Sequence, residues 1–239
     1  MKNIIIADTK LFQFSIINTN HVVTRLPFDM HRIYGSENRK ILAKAMQARD
    51  NQIVFPKQTH GAAVGVVRST NESFPETDAL ITKEPGIAIA VETADCVPIL
   101  LFDPVKRVAA AIHAGWRSTS KQIVVKTIQQ MEEVFGVVPS DIRAGIGPSV
   151  SQKVYEVGRD VYDKFTNVDK KYADFFKPKP HGKYMLDLWQ CNAFQMKECG
   201  VPNKQIEISE LCTVSSPELF YSARREGINT GRLAAVIMV

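Results

Sequence analysis

Six short apolar segments follow one another between residues 51 and 113: NQIVF, AAVGVV, DALIT, GIAIAV, VPILLF and RVAAAIH. They are rich in β-branched residues and bounded by Gly, Pro, Asn or Asp, which is the pattern of strands and turns. So dense a run commits the middle of the chain to sheet, and the helices must be grouped around it. Ser36 is placed to cap a helix reaching about Arg49. Ser118 to Ser120 offer caps for another, in which Val124, Ile128, Met131 and Phe135 recur at helical spacing until Gly136 stops it. Further helices are predicted at about Tyr155 to Phe165 and, opened by Asp187, through to Gly200, with IRAGIG and the terminal LAAVIMV as strands. Strands clustered centrally with helices around them make an α+β layered protein. No repeat, linker or compositional break divides the 239 residues, so residues 1–239 are expected to form a single domain. With 45% apolar and 23% charged residues, the chain can build a core large enough to bury a site.

The N-terminal MKNIIIADTK is too short in apolar residues for a signal-peptide core, and no run approaches the roughly 18 apolar residues of a membrane span. A cytoplasmic protein without membrane partners is expected. Cys96, Cys191, Cys199 and Cys212 lack the paired spacing of a disulfide framework and read as reduced thiols. The net charge of +5 is spread among 25 acidic residues, with no basic stripe, which argues against nucleic acid as partner and for a small anionic ligand.

VPILLF and RVAAAIH are joined by Asp103-Pro104-Val105-Lys106, good turn material, and read as one hairpin. If Phe102 faces Arg107, facing residues sum to 209 and Cys96 faces His113. Facing residues share one side of the sheet with Cβ atoms roughly 4.5–5.5 Å apart, close enough for a thiolate and an imidazole to grip one metal ion. Pro98 cannot donate to a ladder, so this strand is expected at an edge or with a bulge. Ala114 and Gly115 are small enough to let a ligand approach. Catalytic zinc takes three protein groups and leaves one position for water. Of the five histidines, His60 in KQTHG is the best placed to be the third, whereas His21, His31 and His181 earn no role.

KQTHG, TADC before an apolar run, HAGWR, IGPSV with YEVG, and SARRE with TGR, spanning about residues 53 to 239, resemble the motif series of a known family. It is the family once labelled multicopper polyphenol oxidases or laccases, understood as zinc-dependent purine nucleoside phosphorylases with adenosine deaminase activity. The resemblance implies a Zn2+ held by His60, Cys96 and His113, which would also be the catalytic residues. It implies a single-domain α/β/β/α layered sandwich with mixed sheets, similar to the cytotoxic-necrotizing-factor-like hydrolase fold. Purine nucleosides and phosphate are the implied partners. Two departures stand out: TRLPFDMHRIYGSENRK keeps little of the family's N-terminal Gly-Gly-Val-Ser and Ser-Leu-Asn-Leu-Gly stretches, and Ser222-Ala223-Arg224-Arg225 lacks the aromatic of Ser-Tyr-Arg-Arg. A multicopper centre needs on the order of ten imidazoles, and five are present, which argues against the older label.

Phosphate wants forked, permanently charged donors, so Arg117, Arg224 and Arg225 are candidate phosphate-binding residues. Gly145, Gly147 and Pro148 form a candidate anion nest. Asp95 is a candidate general acid or base, or else a brace for the neighbouring ligand. Cys212 reads as a core thiol. Two rival readings remain at the level of sequence: a metal-independent Cys96–His113 hydrolase or amidase, and a non-enzymatic zinc-stabilised binding protein, in which Cys212 or His181 closes the tetrahedron.

Overall fold

The computed structural model describes residues 2–6, 9–24, 29–30 and 36–239. Among them, fifteen strands form two six-stranded sheets and one three-stranded sheet. The first sheet, in spatial order, contains β1 (Lys2–Ile6), β2 (Thr9–Gln13), β3 (His21–Val23), β15 (Leu233–Met238), β7 (Ala88–Thr93) and β4 (Ile53–Val54). The second contains β14 (Ile206–Ile208), β10 (Arg143–Ile146), β8 (Val97–Asp103), β9 (Val108–Ala114), β6 (Ala79–Thr82) and β5 (Val64–Val66). The third contains β11 (Glu156–Val157), β13 (Lys183–Leu186) and β12 (Phe176–Lys179). Both large sheets are mixed: β4 with β7, β5 with β6 and β10 with β14 pair in parallel, the remaining neighbours antiparallel. The helices are α1 (Ser36–Ala45), α2 (Trp116–Ser120), α3 (Ile123–Phe135), α4 (Arg159–Thr166), α5 (Leu188–Glu198) and α6 (Ala223–Glu226).

Period-two alternation explains the layering. Leu100 and Phe102 of β8 and Ala109 and Ala111 of β9 pack against Ile89, Val91, Ala235 and Ile237 of the other large sheet. Their neighbours Ile99, Leu101, Ala110 and Ile112 turn the opposite way, onto Val124, Ile128 and Met131 of α3 and Met196 of α5. The outer face of the first sheet is covered by Leu42 of α1 and the adjacent Met46. The result is the expected α/β/β/α sandwich, and apart from Asp103 and His113 the residues of β8 and β9 are apolar because both faces of these strands are buried. None of the helices is long and apolar enough to cross a membrane, among the described residues.

The hairpin corrects the sequence reading by two residues. Asp103 pairs with Val108 and Pro98 with His113, so facing residues sum to 211. Asp103 stays in the strand because its side chain caps the turn, Oδ1 accepting from the N–H groups of Val105 at 2.7 Å and Lys106 at 3.1 Å, while Arg107 takes a left-handed φ of 53° to close it. A shift of two leaves parity unchanged, so Cys96 and His113 still share a face. Pro98 is also not at an edge: β8 lies between β10 and β9 in an unbroken register. It sits near the start of β8, where its carbonyl accepts from Gly147 N at 2.8 Å. A lost ladder bond costs about 1 kcal/mol, against roughly 1.5–3 kcal/mol for each buried side chain in the four residues after it.

Three helix boundaries differ as well, the first being the end of α1, which stops at Ala45 and not at about Arg49, with Gln47 at a left-handed φ of 54°. Ser118 and Ser120 belong to the separate short α2, and α3 starts at Ile123 after Gln122, which takes a left-handed φ of 64°. Gly136 ends α3 as expected, with φ 65°. The predicted helix from Tyr155 begins at Arg159, because Glu156 and Val157 pair with Met185 and Tyr184 in the small sheet. Asp187 caps α5 as predicted, accepting from Gln190 N at 3.0 Å.

His21, given no role from sequence, holds the β2–β3 turn together. Its ring is buried, Nδ1 lies 2.7 Å from Thr19 O and Nε2 lies 2.8 Å from Phe14 N. Phe14 can only donate, so Nε2 is the acceptor and the proton sits on Nδ1. Burial holds the imidazole below its ordinary 6.5, with the carboxylate of Glu207 the charge nearest in influence. The folded state therefore binds a proton less readily than the unfolded chain, and stability contributed above pH 6.5 is lost as pH falls below that value. The drop in Tm between pH 7 and pH 5 is expected to be smaller in His21→Gln than in the wild type; equal drops in the two would show that His21 carries none of it.

Candidate metal centre

His60, Cys96 and His113 come from three separate elements and meet at one point. One ligating atom from each lies within 4.8 Å of the others, and the two imidazoles stand edge to face with ring centroids 4.8 Å apart. His113 is on β9 and buried, Cys96 directly precedes β8, and His60 is in the loop between β4 and β5. Gly115 faces the sulfur: a Cβ there would stand 2.7 Å from Cys96 Sγ and 3.4 Å from His60 Cδ2, so only glycine fits.

What aligns the two histidines is Asp78, a fully buried carboxylate at the entry to β6 that none of the sequence motifs singles out. Its Oδ1 accepts from His60 N at 2.9 Å and lies 2.8 Å from His113 Nδ1. Its Oδ2 accepts from Thr59 N at 3.2 Å and Gly61 N at 2.7 Å. Three consecutive N–H groups thus wrap one carboxylate, and that nest explains why His60 accepts a left-handed φ of 59°. Burial pushes the Asp78 carboxyl up, but the His113 ring and the backbone donors outweigh it and hold it below the ordinary aspartate value. The only signal in sequence is an acidic residue heading an otherwise apolar strand, DALIT.

The protonation of the trio follows from the same neighbours. Burial raises the Cys96 thiol, yet His113 and His60 bring it down to about 6. Burial lowers His113, yet Cys96 and Asp78 carry it up to about 9. Cys96 is therefore a thiolate at neutral pH, the form that ligates a metal. With Nδ1 of His113 committed to Asp78, its Nε2 is the nitrogen left for a ligand. One soft sulfur and two imidazoles suit zinc, and no fourth Cys, His, Asp or Glu joins them among the described residues. Neither Cys212 nor His181 does so, which removes the closed tetrahedron that a purely structural zinc module needs. Cys212 instead pairs with Ser149 in an isolated backbone β-bridge, and it is not the core thiol expected: it is only partly buried, and although burial raises its thiol, hydrogen bonds with Ser151 and Ser215 hold it below the ordinary cysteine value.

Asp95, beside Cys96, is wholly engaged as an acceptor. Its side chain takes hydrogen bonds from Thr213 Oγ1 at 2.6 Å, Ser222 Oγ at 3.0 Å and Arg224 N at 2.6 Å, and its carbonyl takes one from Val150 N at 3.0 Å. It adopts a left-handed φ of 86° to do so. Of the two sequence readings, the brace is the one that this geometry fits: Asp95 ties the candidate ligand Cys96 to the start of α6.

The trio opens into a cavity of about 540 Å³ that is also lined by Lys57, Thr93, Tyr155, Arg224, Ile228 and Arg232. Of the three arginines singled out from sequence, only Arg224 lines it; its guanidinium donates to Glu156 O at 2.9 Å and lies 5.5 Å from the Tyr155 ring centroid. Arg117 is exposed and stacks on Trp116 at 4.3 Å. Arg225 spends its guanidinium on the carbonyls of Thr213, Val214 and Phe220, anchoring the loop before α6. Lys57 and Arg232 are not among the sequence candidates, although each falls in or beside a quoted motif. Gly145 and Gly147 make no nest, because Gly145 is a strand residue of β10 lying under the Phe14 ring and Gly147 N is bonded to Pro98 O. His31 and most of TRLPFDMHRIYGSENRK lie outside the described residues.

The sequence profile of the family described as multi-copper polyphenol oxidoreductase laccase matches residues 32–239. A purine nucleoside phosphorylase of Bacteroides thetaiotaomicron is 38% identical over 213 residues, covering 84% of this chain and 78% of that protein. Adenosine deaminase RL5, from an unknown prokaryotic organism, is 35% identical over 204 residues, covering 81% and 78%. The crystal structure of the hypothetical protein YfiH of Bacillus licheniformis superposes with a TM-score of 0.86 at 30% identity, covering 92% of each chain.

Proposed function

The chain belongs to the family described as multi-copper polyphenol oxidoreductase laccase, and from that membership and the His60–Cys96–His113 triangle we propose a zinc-dependent purine nucleoside phosphorylase that also deaminates adenosine. The observation that carries this reading is a three-donor metal set with no fourth ligand among the described residues, at the wall of a cavity the size of a small-molecule site. Relatives at 35–38% identity bear the names of both activities. Oxidation by a copper cluster is not supported: the chain has five histidines, fewer than such a cluster needs, and among the described ones two join the site.

Zinc held by His60, Cys96 and His113 would supply Lewis acidity at the cavity wall. The chain's own residues do the rest. Asp78 fixes the ring of His113 and the loop of His60, so the ligands are preorganised. Lys57 and Arg224 present positive charge to phosphate. In phosphorolysis the bond from C1′ to the purine breaks, a phosphate oxygen bonds to C1′, and the proton of hydrogen phosphate ends on the base. In deamination, water replaces the amino group at C6 and ammonia leaves. The whole chain acts as one domain, and four unpaired cysteines suit a reducing cytoplasm.

Purified protein is expected to carry about one zinc, to turn inosine and phosphate into hypoxanthine and ribose 1-phosphate, and to turn adenosine into inosine. Absence of product from both incubations would sink the proposal. A metal-free protein that is active and is silenced by a thiol alkylator would point instead to Cys96 as a nucleophile.

A further inference from the structure

Most polar groups around the cavity are already spoken for. The Asp95 carboxylate holds three donors. The Gln58 amide is bonded at both ends to the Glu92 backbone, at 2.7 Å and 2.8 Å. Arg232 is turned back onto the carbonyls of Gly231 and Ile228. Tyr155 is different. It lines the cavity half-buried, and no described residue hydrogen-bonds its hydroxyl. The fully buried Tyr172, by contrast, is bonded to Gln122 and Gln195, each at 2.8 Å. Arg224 lies 5.5 Å from the Tyr155 ring and is bonded to the carbonyl of the next residue, so the phenol is held in place. Burial, and then the charge of Cys96, keep its proton on the oxygen. The cavity therefore offers cationic donors in Lys57 and Arg224 and a neutral hydroxyl in Tyr155; Thr93 Oγ1 is also without a hydrogen-bond partner among the described residues, but it is buried out of reach of a ligand.

We propose that Tyr155 is a catalytic residue of the phosphorolysis, its phenol O–H donating a hydrogen bond to an acceptor atom of the purine that strengthens as the base departs. The inference rests on the phosphorylase reading. The electron pair of the breaking glycosidic bond moves onto the purine, and a fixed donor aimed at the growing charge stabilises the transition state more than the ground state. Tyr155 keeps its proton throughout; the proton that completes the base comes from hydrogen phosphate. The cationic side chains serve the phosphate and the phenol serves the purine.

Tyr155→Phe tests this, because it removes one oxygen that supports nothing in the fold. Inosine phosphorolysis by the variant is expected to lose about 100-fold in kcat, with zinc content, Tm and the KM for phosphate unchanged. Equal kcat in the two proteins would overturn the assignment, as would a loss of activity that follows a loss of zinc or of Tm. A wild type that forms no hypoxanthine removes the phosphorylase reading itself, and an active wild type beside an equally active variant removes only the role of Tyr155.

Discussion

Cys96→Ala is expected to purify without tightly held zinc and to lose both the phosphorolysis of inosine and the deamination of adenosine. The sulfur is the only anionic donor of the trio: Cys96 is brought down to about 6 by His113 and His60, whereas the other two donors are imidazoles. Without it, only the two imidazoles are left to hold a dication. The loss of activity should exceed the roughly 10- to 100-fold that a residue supporting a ligand costs. Chelation gives a second readout. A metal that binds only the folded chain stabilises it by about 2.7 kcal/mol at a hundred times its Kd. For a chain of this size each kcal/mol moves Tm by roughly 2–4 °C. A chelator should therefore lower the wild-type Tm by several degrees and leave that of Cys96→Ala where it was. Full zinc occupancy in the variant would show that the sulfur is not a ligand.

Asp78→Asn should damage both the site and the fold, although it changes one oxygen into an NH2. Oδ1 serves His60 N and His113 Nδ1, and Oδ2 serves Thr59 N and Gly61 N. An asparagine amide set one way meets the N–H groups of Thr59 and Gly61 with its own donors. Set the other way it meets His60 N–H and can bond His113 only if that ring moves its proton to Nε2, the nitrogen needed for the metal. Either way donors that are only partly buried lose a charged acceptor, at about 1–3 kcal/mol each, so Tm should fall by roughly 2–15 °C. Zinc affinity should weaken by about 10- to 100-fold. Unchanged zinc affinity with a lowered Tm would confine Asp78 to holding the loop, and no change in either would contradict the geometry outright.

The strands that build the two large sheets were legible because their signals are local. The segments at 79–82, 88–93, 97–103 and 108–114 stand where the apolar runs put them. The glycine stop of α3 and the cap that Asp187 provides at α5 likewise need only a few neighbouring residues to be read. The small sheet was less visible. FKPKPHGKYML is crowded with lysine and proline, yet β12 and β13 pair there, at the surface. The turn between β8 and β9 is evident from its residues, but its register differs by two, because whether Asp103 belongs to the strand or the turn depends on where its carboxylate bonds.

The amino-acid order by itself pointed to the layered class, the hairpin that brings Cys96 near His113, and His60 as the best-placed candidate to join them, since periodicity, turn chemistry and ligand type are written residue by residue. Tertiary structure alone decided that Asp78 clamps His60 from 18 residues away and His113 from 35. It also decided that Arg224 faces the cavity while Arg225 is consumed by carbonyls, although the two are adjacent in the chain. The physical reason is that a side chain's role is set by which donors and acceptors folding brings within about 3 Å of it, and those partners lie far away along the chain.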